Sequence, residues 1–181
     1  LLHDIGKPHT KTIDNERIRF KGHHREGAIL SEGILKNLRF SKKHIRGIST
    51  IIDHHLRPGQ MSHEGQLPSD KAIYRFFRSS EDFAIDTIYL NLADYLAARG
   101  PLLEKQEWVD YATKVNHIYL QGTKQQDDPK YERLVNGKQL MQELGLSSGP
   151  IIGNILEEIK EDVISGKIKI DKALQIMDSN A

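Results

Sequence analysis

Near the start of the chain stands His3-Asp4, an imidazole nitrogen beside a carboxylate that can bridge two metal ions. None of the 181 residues is cysteine. Disulfides, thiolate metal sites and cysteine nucleophiles are therefore excluded, and any metal must be held by His, Asp or Glu. The sequence has nine His, seven of them in the first sixty residues. His23-His24 follows Gly22, His54-His55 closes an isoleucine-rich stretch, and Asp94 lies inside an apolar one.

Angular position separates these candidates. With Ile48 at zero and about 100° per residue, Ile45, Ile51 and Ile52 lie within about 60°, His55 about 20° from the centre and His54 about 120° away. His55 is expected to point inward. Over 82–99 apolar residues surround the helix, so it is expected to be buried and central, with Asp94 among them. A buried carboxylate costs several kcal/mol, on the order of 2–7, unless it is paired or bound to a cation. Asp94, His55 and His3-Asp4 thus call for a common partner: a divalent metal, or a buried Arg or hydrogen-bonded network. Periodicity slightly favours His24 over His23 as an inward residue and does not decide between them.

These residues must be positioned by helices. Apolar residues recur at three and four, and β-branched alternation is confined to Arg17–Phe20. Helices are expected at about 25–38, 42–56 with Ser41 as N-cap, 70–78, 82–99, 103–120, 137–143, 150–165 and 171–177. The polar run 121–130 reads as a linker. The expected fold is all-α: a helical bundle over 1–120, the linker, and a small helical tail over 131–181. Ser147-Ser148-Gly149-Pro150 opens a helix whose free N–H groups favour a phosphate, or simply form an ordinary cap. Glu157-Glu158-Lys160-Glu161-Asp162 reads as a solvated face.

Charge is distributed unevenly. Residues 1–60 carry +6 and the remainder −5, for a net +1. A basic, His-rich first third suits an anionic partner such as a phosphate ester or nucleic acid, or is simply a solvated surface. No run approaches the roughly 20 apolar residues of a membrane span. The expected location is the cytoplasm.

Together, Leu1-Leu2-His3-Asp4-Ile5-Gly6-Lys7-Pro8, Gly22-His23, His55 and Leu92-Ala93-Asp94 resemble the HD superfamily of metal-dependent phosphohydrolases. The resemblance implies a helical bundle in which His3, Asp4 and Asp94 bind metal, His23 and His55, with His54 as a further candidate, hold a second ion, and Lys7 faces the phosphate. The divalent ion would be Mg, Mn, Ni, Fe or Zn. The superfamily has a further His upstream, whereas this chain begins two residues before His3. The expectation is therefore an HD region cut short at its N-terminus.

A narrower resemblance spans nearly the whole length. Arg19-Phe20-Lys21-Gly22-His23, His55-Leu56-Arg57-Pro58, Leu134–Met141 and Leu144–Gly153 are similar to the HD-plus-tail region of bacterial tRNA nucleotidyltransferases and poly(A) polymerases. No Gly-rich polymerase motif with paired aspartates is present, so this stretch is expected to lack the nucleotide-adding site.

Two functions follow as expectations. One is a metal-dependent phosphohydrolase acting on a nucleotide or RNA phosphate ester, with Asp4 central and Lys7 and Arg57 neutralising phosphate charge. The other is a non-catalytic body that holds tRNA by its backbone through the basic first third and the tail.

Overall fold

The computed structural model describes residues 1–63, 65–127 and 137–168. The chain opens with turns over Leu2–Gly6, then a single helical turn α1 (Lys7–Thr10) started by Pro8. The alternation at Arg17–Phe20 proves to be half of an antiparallel hairpin. Strand β1 (Lys11–Asp14) pairs with β2 (Arg17–Phe20) in the register Lys11 to Phe20 and Ile13 to Ile18. Its two turn residues, Asn15 and Glu16, both have positive φ, 48° and 62°. Two consecutive left-handed residues match the right-handed twist of the strands they join.

Helices supply the rest: α2 (His23–Asn37), α3 (Lys42–His54), the single turn α4 (Arg57–Gln60), α5 (Asp70–Ser80), α6 (Ala84–Arg99), α7 (Lys105–Asp127), α8 (Gly137–Leu144) and α9 (Pro150–Ile164). Short 3-10 turns at Glu81–Phe83 and Gly100–Leu102 flank α6. The described structure is thus mainly helical, as expected. Ser41 caps α3, its Oγ accepting from the His44 amide.

Two details depart from the sequence expectations. The helix expected to end near 120 continues as α7 to Asp127, so most of the polar run 121–130 is helical and 128–130 lies outside the described residues. The helix expected at 171–177 also lies outside them. Second, α6 is not buried all round. Ala84, Thr87, Ile88 and Asn91 form its buried stripe, while Ile85, Tyr89 and Leu96 are exposed. Residues three and four apart share a face, so a stripe on one side suffices to pack the helix.

The chain divides into two compact units: residues 1–67 with 76–119, and residues 68–75 with the described residues from 120 onward. In the first, α2 packs on α3, and α3 on α6. Ala28, Leu35, Ile45, Ile52, Phe76, Phe77, Ala84, Ile88, Val115 and Ile118 form its core. In the second, α8 packs on α9. There Tyr74 donates to Glu157 at 2.7 Å, and Arg75 grips Glu161 through two bonds of 2.6 Å. Lys71 lies 3.1 Å from Glu161 and 3.6 Å from Asp162. The acidic run of α9 is therefore no plain solvated face: Glu161 is buried and paired.

Candidate metal centre

Four segments of the first unit meet at one point: the opening turns, the start of α2, the end of α3 and the middle of α6. Gly6 permits the first approach. A Cβ on it would lie 2.3 Å from the His23 carbonyl oxygen and 2.7 Å from the Gly27 amide nitrogen. The bare glycine lets the turn carrying His3 and Asp4 lie directly on the first turns of α2.

The donor atoms then converge. His3 Nε2 lies 3.4 Å from Asp4 Oδ2 and 3.4 Å from Asp94 Oδ1. His23 Nε2 lies 3.4 Å from Asp4 Oδ1. The His55 ring centroid is 5.2 Å from that of His3 and 5.3 Å from that of His23. Two triplets offer ligand atoms within 4.8 Å of one another, His3 with Asp4 and Asp94, and Asp4 with His23 and His55. Asp4 belongs to both.

Protonation follows from the partners of the opposite ring nitrogens. His23 Nδ1 lies 2.8 Å from the Phe20 carbonyl and His55 Nδ1 lies 2.6 Å from the Ile52 carbonyl. A carbonyl only accepts, so each Nδ1 carries a proton and Nε2 is the ring nitrogen turned toward the cluster. Those two Nε2 atoms, both ring nitrogens of His3 and Asp4 Oδ1 are buried without a hydrogen-bond partner. Buried polar atoms normally have one. Burial, reinforced by the neighbouring imidazoles, holds the His55 pKa below its ordinary value, so its ring is held neutral, the form that donates to a metal. Burial alone would raise Asp4. The hydrogen bond from Lys7, 2.5 Å long, and the charges of His3, Lys7 and His23 outweigh it and hold the carboxyl below its usual value.

Most sequence candidates gather here. His3, Asp4, His23, His55 and Asp94 converge, and Lys7 reaches Asp4. Asp94 is only half-buried, not sealed in. His23, not His24, contributes to the cluster, as the family resemblance implies and against the faint periodicity. His54 turns elsewhere, its Nδ1 lying 2.9 Å from Ser80 Oγ and its Nε2 3.6 Å from Asp53. Arg57 is likewise directed to Ser79 and lies over the Phe76 ring. Sequence reading missed Asn91, which donates to the His55 carbonyl at 2.8 Å. Its place on the 84, 87, 88, 91 stripe of α6 was the available signal.

The donor chemistry fits a divalent ion: three imidazoles and two carboxylates, with buried ligand atoms that lack a hydrogen-bond partner gathered together. His3, Asp4 and Asp94 would hold one ion and His23 and His55, sharing Asp4, a second.

Comparison with known proteins agrees with this geometry. A family model described as "HD domain" matches residues 1–99, and one described as "tRNA nucleotidyltransferase domain 2 putative" matches residues 104–177. Among curated proteins, the chain is 34% identical over 172 residues to a CC-adding tRNA nucleotidyltransferase of Thermus thermophilus, covering 93% of this chain and 36% of that protein. It is 32% identical over 171 residues to an A-adding tRNA nucleotidyltransferase of Deinococcus radiodurans, covering 93% of this chain and 37% of the relative. The chain thus spans little more than a third of the length of these relatives. No solved structure matches it. With more than half its residues matched by the HD model and the paired His and Asp ligands gathered at one point, the chain belongs to the HD domain family.

Proposed function

We propose that the chain acts as a divalent-metal-dependent phosphohydrolase on a nucleotide or RNA phosphate ester. The observation that carries the reading is the set of unpaired ligand atoms on His3, Asp4, His23 and His55, which face one another in a buried site. When bound, a divalent ion there supplies Lewis-acid polarisation of a phosphoryl oxygen and a more acidic water. Mg, Mn, Ni, Fe and Zn remain the candidate ions.

The chain's own residues do the rest. His23 and His55 each spend Nδ1–H on a carbonyl, which fixes the ring and presents Nε2. Asp4 joins the two triplets through its two oxygens. Lys7, about a third exposed, supplies positive charge at the rim beside Asp4, where a phosphate would approach.

The test is direct. The purified chain should bind Mn²⁺ in calorimetry and hydrolyse bis(p-nitrophenyl) phosphate or p-nitrophenyl phosphate. Asp4→Ala should lower that rate by a factor on the order of 100 or more and weaken Mn²⁺ binding, with an unchanged circular dichroism spectrum, because no other residue serves both triplets. An Asp4→Ala chain as active as the parent, or a parent that binds no divalent ion, overturns the reading.

The second reading is a non-catalytic body that holds tRNA. It is favoured by the match of residues 104–177 to the tRNA nucleotidyltransferase model and by the names of the two relatives. The +6 charge of residues 1–60 would then engage the RNA backbone, and the chain would work in the cytoplasm.

A further inference from the structure

His55 follows His54, the last residue of α3, and the final carbonyls of a helix have no partner within it. At this end the carbonyls of Ile52 and of the capping His55 are both satisfied by side chains. The Ile52 carbonyl accepts from the His55 ring itself. The His55 carbonyl accepts from Asn91 Nδ2 at 2.8 Å. Asn91 is 4% exposed and could be placed with its amide either way round. The His55 carbonyl decides the matter: it only accepts, so Nδ2 faces it, and the Tyr111 hydroxyl donates to the remaining Oδ1 at 2.6 Å.

The tyrosine is itself held in place. Its ring stacks on Tyr95 with centroids 3.6 Å apart, and the Lys114 ammonium lies 5.1 Å from its centroid. Lys114 also donates to the Gly59 carbonyl at 2.8 Å. Gly59 has no room for a side chain, since a Cβ there would lie 2.7 Å from the Tyr111 hydroxyl oxygen and 3.6 Å from Asn91 Nδ2.

We propose that Asn91 and Tyr111 are positioning residues that fix the end of α3 and the His55 ring, so that α7 completes the HD centre. Tyr111 lies beyond residues 1–99, inside the stretch matched by the tRNA nucleotidyltransferase model. It nevertheless belongs to the same compact unit as the HD residues. The HD-matched segment therefore does not carry everything its own metal centre needs. This deepens the metal-centre reading above and rests on it for the affinity measurement only.

The experiment compares the full chain with Tyr111→Phe, which removes one hydroxyl, and with Gly59→Ala, which displaces that hydroxyl from the other side. Tyr95→Phe, which keeps the stacked ring, is the control. The first readout needs no metal: long-range ¹H–¹⁵N spectra of the His55 ring. The parent should show the Nδ1–H tautomer. Tyr111→Phe and Gly59→Ala should show shifted or exchange-broadened His55 signals, and Tyr95→Phe should not. The second readout is calorimetry with Ni²⁺ alone, where outer-shell changes of this kind weaken affinity about 10–100-fold. Ni²⁺ binding by the parent with unchanged His55 signals and affinity in Tyr111→Phe overturns the relay. Altered His55 signals with no Ni²⁺ binding even in the parent support the relay and overturn the metal reading.

Discussion

Gly6 is the residue on which the His/Asp cluster turns, although it contributes no donor atom to it. Gly6→Ala would drive a methyl into the His23 carbonyl and the Gly27 amide, and backbone cannot yield as a flexible side chain can. The expected cost is about 3 kcal/mol, a fall in Tm of roughly 6–12 °C for a chain of this size. A melting curve within 1 °C of the parent would show that the turn relaxes freely. His3, Asp4, His55 and Asp94 were legible as candidate ligands because imidazole and carboxylate side chains announce their chemistry, whereas His23 was preferred to His24 only through the family resemblance. The inward angle of His55 was legible too, and that residue is fully buried. Asn91 and Tyr111 were not legible. An amide and a phenol are common in ordinary packing, and their roles rest on distances across α3, α6 and α7 that no local pattern encodes.

Among the elements, α9 teaches the most about the reach of sequence reading. Its acidic run looked like solvent-facing charge, since Glu and Asp are seldom buried unless paired. The partners, Lys71, Tyr74 and Arg75, lie more than eighty residues earlier on α5. Hydrogen bonds from Arg75 hold Glu161 down to about 2 from an ordinary 4.5; burial opposes them and Lys71 assists. A carboxyl depressed on folding stabilises the folded chain above about pH 4.5, and that contribution is lost as pH falls toward 2. The parent should therefore melt above Glu161→Gln near neutral pH, and the gap should close across that window. A gap constant from pH 5 to pH 2 would sever Glu161 from Arg75. Helix existence was read well for the described elements because start and stop residues such as Ser41 and Pro150 act locally. The extension of α7 was not, because polar residues such as Gln and Lys are good helix formers that also populate linkers.

For the molecule as a whole, the uneven charge carries the prediction. If residues 1–60 engage an RNA backbone, tRNA affinity should fall about ten- to a hundred-fold between 50 and 200 mM salt, the span expected for two to four neutralised phosphates. Retention that ignores salt, or no tRNA binding at 50 mM, would rule out this mode. Among the described residues no helix is long and apolar enough to cross a membrane. The β1–β2 hairpin adds a different kind of constraint. Among the described residues the sheet has two strands and no interior one, so both carry a free edge, and the Ile13–Ile18 pair stands exposed on it at 73% and 56%. That combination invites another chain to dock and propagate a growing stack. The chain counters it with brevity and charge. Four residues per strand make a poor template, the left-handed Asn15-Glu16 pair keeps the ribbon coiled, and Lys11 and Arg17 add cations to it, while Arg19 pairs with Asp14 at 3.3 Å. Neutralising those cations would cost little in the melting of a single molecule, yet it would determine how concentrated a solution of many copies stays clear.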